Sequence, residues 1–287
     1  MSYRRRASPL HAARAGAGCA YCVALACAAL LLSSPVALGA VVVAIVGAGI
    51  AAGLGREMRR AAPLAVTLAI VIAVINALVT RDGLTVIVRL GELPVLGHTD
   101  VTLEATVYGL ILGLRAVALI MCGALYTAAV DPDEVLKLFR RVSFRSALTA
   151  TLATRMVPVL IRDARRLTDA QRCRPGRPPS RLALMRAATA GVLDRALDVA
   201  AALEVRGYGR PGRPPRAHRP WSRHDIAFAA SAAAVLVLSI GARVFDLAQF
   251  SAYPSLHAPV GVGTVAIAAG LVVCALLPFA DRRGVQR

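Results

Sequence analysis

The residues able to do chemistry in this sequence are few and scattered. Cys19 and Cys22 have the C-x-x-C spacing of zinc and dithiol sites, but no second cysteine pair and no suitably spaced histidine accompanies them. The other cysteines are Cys27, Cys122, Cys173 and Cys274, and all six except Cys173 lie in apolar runs, where a thiol acts as a small hydrophobe. His11, His98, His218, His224 and His257 include no pair at ligand spacing, so neither a metal site nor a cofactor is expected. Asp163 and Asp169 are the candidates on one helical run for holding a divalent ion, and six residues apart they do not share a helix face. No P-loop is present, which excludes the chain as an ATPase. What remains is arginine. Of 34 basic residues only Lys137 is a lysine. Arg174 and Arg206 each close a helical run, and Arg115 lies inside an apolar one.

The surroundings of these arginines are those of a membrane protein. The 287 residues are 57% hydrophobic and 17% charged, with a mean hydropathy of +0.63 and a net charge of +18. That is too apolar for a soluble domain or a disordered chain. The apolar stretch from Cys19 to Leu54 is too long for a signal peptide, and as one straight helix it would measure about 54 Å against a hydrocarbon core of about 30 Å. Ser33-Ser34-Pro35 breaks it into two spans, Cys19 to Ser34 and Val36 to Leu54. Four more are expected at Ala61 to Thr80, Glu104 to Val130, Ile226 to Ala242 and Gly261 to Ala280, with a mixed loop from Arg81 to about Leu103. The expected fold is therefore an all-α polytopic membrane protein of about six transmembrane helices. Its regions are a basic N-terminus at 1–18, four spans in 19–130, a cytoplasmic segment at 131–225, two spans in 226–280 and a tail at 281–287. Arg4 to Arg6, Arg56, Arg59, Arg60, Arg282, Arg283 and Arg287 then share one side, which the positive-inside rule makes cytoplasmic, with both termini there.

Most of the charge belongs to one region. Asp131 to Asp225 carries nineteen arginines and Lys137 against nine carboxylates, a surplus of +11. Its apolar residues fall at helical spacing, so two to three amphipathic helices are expected between the fourth and fifth spans. Asp131-Pro132-Asp133-Glu134 reads as the start of a short helix running to about Arg141. In the next, Leu148, Leu152, Met156, Leu160, Ala164 and Leu167 form a stripe, with Pro158 absorbed as a kink. The third, about Leu182 to Arg206, has Leu182, Met185, Thr189, Val192, Ala196, Val199 and Leu203 on one stripe, Arg186, Asp194, Arg195 and Asp198 elsewhere, and Gly207 as C-cap. Aromatic residues are too few for a base-stacking platform, which argues against nucleic acid. Basic linkers such as Arg177, Arg181, Arg210 and Arg213 suit anionic headgroups. Arg115 is expected to pair with a backbone carbonyl or an acid, and Asn76 to hydrogen-bond between helices.

The two helix ends resemble the motifs of the transmembrane T component of energy-coupling factor (ECF) type ABC transporters, the EcfT/CbiQ family. Ala170-Gln171-Arg172-Cys173-Arg174-Pro175-Gly176 resembles the first Ala-Arg-Gly-like motif, with Cys173 where alanine is usual and Pro175 before the glycine. Ala202-Leu203-Glu204-Val205-Arg206-Gly207-Tyr208 is closer to the second. Gly83-Leu84-Thr85-Val86, Gly113-Leu114-Arg115, Thr127 to Leu138 and Arg155-Met156-Val157-Pro158 are also similar, and the likeness runs from about Ala20 to Tyr208. The resemblance implies a non-catalytic subunit of a bacterial plasma membrane importer for a vitamin or a transition-metal ion. Its implied partners are two ABC ATPase subunits, a small membrane S component and the lipid bilayer. Arg174 and Arg206, flanked by Gln171, Arg172, Glu204 and Gly207, would insert into the ATPases, where a guanidinium offers five donors in a planar fork. A membrane-embedded transferase acting on a lipid or isoprenoid phosphate is the alternative, and its acids would hold magnesium. A conventional ABC permease would have a single coupling loop instead of two arginine-ended helices.

Overall fold

The computed structural model describes residues 6–79, 86–93, 97–139, 144–173, 181–208, 220–247 and 261–281. The chain divides into two compact units, one of residues 1–135 and 221–287, the other of residues 136–220.

In the first unit a short α1 (Pro9–Ala12) precedes α2 (Ala15–Leu31) and α3 (Pro35–Ala51). The break between α2 and α3 falls where the sequence puts it: Ser34 is the N-cap of α3, and Pro35 occupies the first helical turn, where its missing N–H costs nothing. Each helix has 17 residues, about 26 Å of rise and the short end of what crosses a bilayer. The last carbonyls of α2 are satisfied from a distance. Arg115 donates Nε to the Ala29 carbonyl at 3.1 Å and Nη2 to that of Leu32 at 3.0 Å. Its charge thus sits at the negative end of α2, the structural role expected of an intramembrane arginine with backbone partners.

Gly53, at φ +74°, closes α3. Its N–H reaches the Ile50 carbonyl, and that of Leu54 reaches the Gly49 carbonyl. Arg6 donates to the Gly53 carbonyl and pairs with Glu57. α4 (Gly55–Val79) therefore begins with the Arg56, Arg59, Arg60 cluster and continues through Pro63. It packs closely on α5 (Leu103–Ala129). A Cβ on Gly109 would lie 2.9 Å from the Ala73 carbonyl oxygen, and one on Gly113 would lie 2.9 Å from that of Ala69. A small-xxx-small ridge thus faces another, which is how helices associate in lipid without a hydrophobic driving force between them. Asn76 differs from expectation, since its Nδ2 donates to Ile72 of its own helix.

The expected loop between α4 and α5 contains an antiparallel ribbon, β1 (Val86–Leu93) and β2 (Gly97–Thr102), pairing Val86 with Thr102 and Arg89 with Asp100. The β-branched run Val86-Ile87-Val88 supplies the propensity that a reading of its charges alone passes over. Thr102 then caps α5 by accepting from the Ala105 N–H.

The chain enters α6 (Pro132–Phe139), where Asp131 accepts from the Asp133 N–H, and returns to the first unit as α9 (Arg223–Val244) and α10 (Val262–Leu276), the latter followed by a 3-10 turn (Leu277–Phe279). Tyr21, Phe228 and Phe279 meet edge to face with ring centres 5.2 to 6.3 Å apart, and Tyr21 donates to the Ala275 carbonyl at 2.8 Å. Half of the surrounding core is alanine, with Leu25, Leu38, Ile45 and Leu125 among its larger members. Four helices of this unit have the length and composition to cross a membrane, and α2 and α3 are shorter apolar helices. The architecture is an all-helical polytopic membrane fold with one small ribbon.

In the second unit α7 (Phe144–Arg172) and α8 (Arg181–Val205) pair. α7 runs through Pro158 without ending there. None of the described residues of this unit is buried.

Candidate functional site

The end of α8 is built from its glycine. Gly207 has φ +79°, a conformation that strains any residue with a Cβ. Its N–H bonds to the Glu204 carbonyl at 2.9 Å, and the Tyr208 N–H reaches back to the Leu203 carbonyl at 2.9 Å. This six-to-one, five-to-two pair is a Schellman motif, the stop that the Arg206-Gly207 sequence predicts. Arg206 is the last residue before the chain reverses and its side chain is exposed, as is that of Glu204. A guanidinium at this position lies at the negative end of the helix dipole.

The end of α7 is described as far as Cys173, whose N–H bonds to the Asp169 carbonyl at 3.2 Å. Gln171 is half-buried; Arg172 and Cys173 are exposed. Arg172 approaches Asp169 at 4.0 Å on open surface, a pair of little energetic weight. Arg174, Pro175 and Gly176 lie outside the described residues.

Between α7 and α8 lies a groove of about 580 Å³, lined by Leu160, Ala164 and Leu167 on one side and Ala188, Gly191 and Val192 on the other. The predicted stripe of α7 forms one wall. Asp163 and Arg195 join across the groove in an ion pair. The Arg195 guanidinium holds the Asp163 carboxyl below the usual carboxylate range against the opposing effect of desolvation, and Arg166 and Arg162 add to it. Arg195 lies apart from the apolar stripe of α8 in the sequence. At 3.6 residues per turn it flanks Val192 and Val199 closely enough to turn inward once α7 offers a carboxylate. Apolar residues on α8 are also not confined to one stripe: Leu193 and Leu197, each 63% exposed, form a second row beside exposed Leu182 and Met185.

A second polar cluster, in the first unit, joins segments that nothing in the sequence links. Asp225 is 1% exposed. Its Oδ2 accepts from the Ser222 N–H at 2.8 Å while Ser222 Oγ accepts from the Asp225 N–H at 3.2 Å, a capping box at the start of α9. Its Oδ1 accepts from the Arg14 N–H at 2.6 Å, and Arg14 Nε lies 3.2 Å from Oδ2. Beside it Glu134 accepts from the Ala15 N–H at 3.3 Å, and the Arg14 guanidinium stacks over Trp221 at 5.9 Å. Ser222-x-x-Asp225 is legible as a cap in the sequence. Its union with Arg14, 211 residues away, is not.

Among the described residues no group of three or more histidine, cysteine or acidic side chains could hold a metal ion, and all six cysteines are free thiols. Residues 6–216 match the model of the CbiQ family, described as cobalt transport protein. The chain belongs to the CbiQ family. A comparison with curated proteins returned no match. The CbiQ match starts before α2, takes in both arginine-ended motifs and stops before α9. Membership makes the chain a membrane transport component.

Proposed function

We propose that this chain is the transmembrane scaffold and energy-coupling subunit of an ECF-type ABC importer. Two cytosolic ATPase subunits hydrolyse ATP, a small membrane S component captures a vitamin or a transition-metal ion, and this chain joins them without making or breaking a covalent bond. It sits in the bacterial plasma membrane with both termini cytoplasmic, and residues 131–225 form the coupling segment. Arg174 and Arg206 engage the two ATPases, with Gln171, Arg172, Glu204 and Gly207 shaping the two ends. The exposed apolar rows of α7 and α8 carry the S component.

The observation that carries this reading is the end of α8: a rigid Schellman stop that leaves one exposed arginine at its tip. A long helix ending in a fixed cation is suited to transmitting motion to an acidic or carbonyl-lined groove. The test is purification from native membranes. The wild-type chain is expected to bring two ATPases and a small membrane protein with it, and the Arg174→Ala/Arg206→Ala double variant to insert normally but lose the ATPases. Recovery of the wild type alone, with magnesium-dependent turnover of a lipid phosphate, would overturn the proposal.

A further inference from the structure

The first turn of α2 carries a polar arrangement that its own sequence does not supply. Its N-cap is Arg14, whose side chain makes no capping bond, so the N–H groups of Arg14 and Ala15 need acceptors from elsewhere. They receive Asp225 and Glu134. Both carboxylates sit at the positive end of the α2 dipole, where such charges are favoured. One buried carboxylate, Asp225, thereby closes the N-termini of two helices, α9 through Oδ2 and α2 through Oδ1.

The position of these two acids in the chain matters more than their chemistry. Glu134 lies one residue before the chain leaves the first unit at Val135, and Trp221, Ser222 and Asp225 lie where it returns. The exit and the return of residues 136–220 are therefore fastened to the same turn of one helix. That helix is itself packed on α9 through Tyr21 and Phe228, and tied to the end of α10 by the Tyr21 hydrogen bond to Ala275.

We propose that Asp225 and Glu134 are positioning residues that anchor both ends of the 136–220 segment to the first turn of α2. Force on the arginine-ended helices then enters the membrane helices through α2 and α9 together. The inference rests on the coupling role proposed above and adds the point at which movement crosses from one unit to the other.

The test uses the full complex in proteoliposomes, with Glu134→Gln, Asp225→Asn and Arg206→Ala compared for uptake per ATP hydrolysed. Hydrogen exchange at the Arg14 to Gly18 amides is measured alongside. Glu134→Gln removes a single charge from a half-buried site, so it keeps the test valid if Asp225→Asn assembles poorly. Both variants are expected to speed exchange at the α2 first turn by up to about tenfold, Asp225→Asn because one of two accepting oxygens is lost and Glu134→Gln because its bond to the Ala15 N–H is no longer charge-assisted. Both should also lower uptake per ATP by about fivefold or more, the size of an ordinary coupling energy. A merely structural role would reduce the amount of complex and leave that ratio unchanged. An unchanged ratio in Glu134→Gln and Asp225→Asn beside a transport-dead Arg206→Ala overturns the anchor alone. Normal uptake by Arg206→Ala overturns the coupling role itself, and the anchor as a coupling device with it.

Discussion

The two units of this protein are both helical and both rich in alanine, yet one has a buried core and the other has none among its described residues. In the first, α4 and α5 approach until Gly109 and Gly113 touch backbone, and Tyr21, Phe228 and Phe279 fill the space where α2, α9 and α10 converge. In the second, α7 and α8 meet along a groove crossed by one ion pair, and Leu182, Met185, Leu193 and Leu197 remain exposed. The first unit is therefore stabilised from within. The second leaves apolar side chains exposed, a surface suited to the docking role proposed for it.

Substitutions can break this comparison at either end. The largest effect is expected from Gly113→Leu. A side chain there meets the Ala69 carbonyl, which cannot yield without moving α4, so a loss of about 3 kcal/mol or more is expected as a lower melting temperature in detergent. Gly207→Ala should cost about 1 kcal/mol locally, from the positive φ. It should fray the last turn of α8 in hydrogen exchange and leave the melting of the first unit unchanged.

The Asp163 and Arg195 pair predicts a pH response of known sign. A carboxyl held below its ordinary range stabilises the α7–α8 pairing above that range, and the contribution is lost as the pH falls through the depressed value. Spin labels on the two helices should report a constant separation from neutral pH down to the ordinary carboxylate range and widening only below it. Asp163→Asn should abolish that transition. Widening of the wild type near pH 6 would refute the assignment. Smallest of all in stability is Leu193→Ser, expected to change stability by less than about 0.5 kcal/mol because most of the side chain is exposed. Leu193 is part of the proposed docking surface, so the substitution should nonetheless lower co-purification of the S component.

How much of this was legible in the sequence depended on the range of the interaction. Breaks and caps are local, so the α2–α3 break at Ser34-Pro35, the Asp131 cap and the Gly207 stop could all be read from a few neighbouring residues. The spans followed from hydropathy, and the family from two motifs about thirty residues apart. What could not be read was which distant group completes a local deficit. Arg115 needed some acceptor, but nothing in its surroundings names Ala29 and Leu32. An amide in lipid needs a partner, and Asn76 finds it in the Ile72 carbonyl of its own helix, a choice its type alone does not dictate. Arg195 was set apart from the apolar stripe by its charge, since the matching carboxylate lies on another helix. The ribbon at 86–102 follows from β-branched residues, a signal that the balanced charges of the same stretch do not carry.

The central claim is that arginines at two helix ends connect this chain to ATP hydrolysis. The most direct measurement is ATP-driven uptake of labelled substrate by cells or proteoliposomes carrying the Arg174→Ala/Arg206→Ala double variant, with its membrane level matched to wild type. Coupling through these residues predicts that uptake is abolished while the variant remains folded and inserted; wild-type uptake would contradict it.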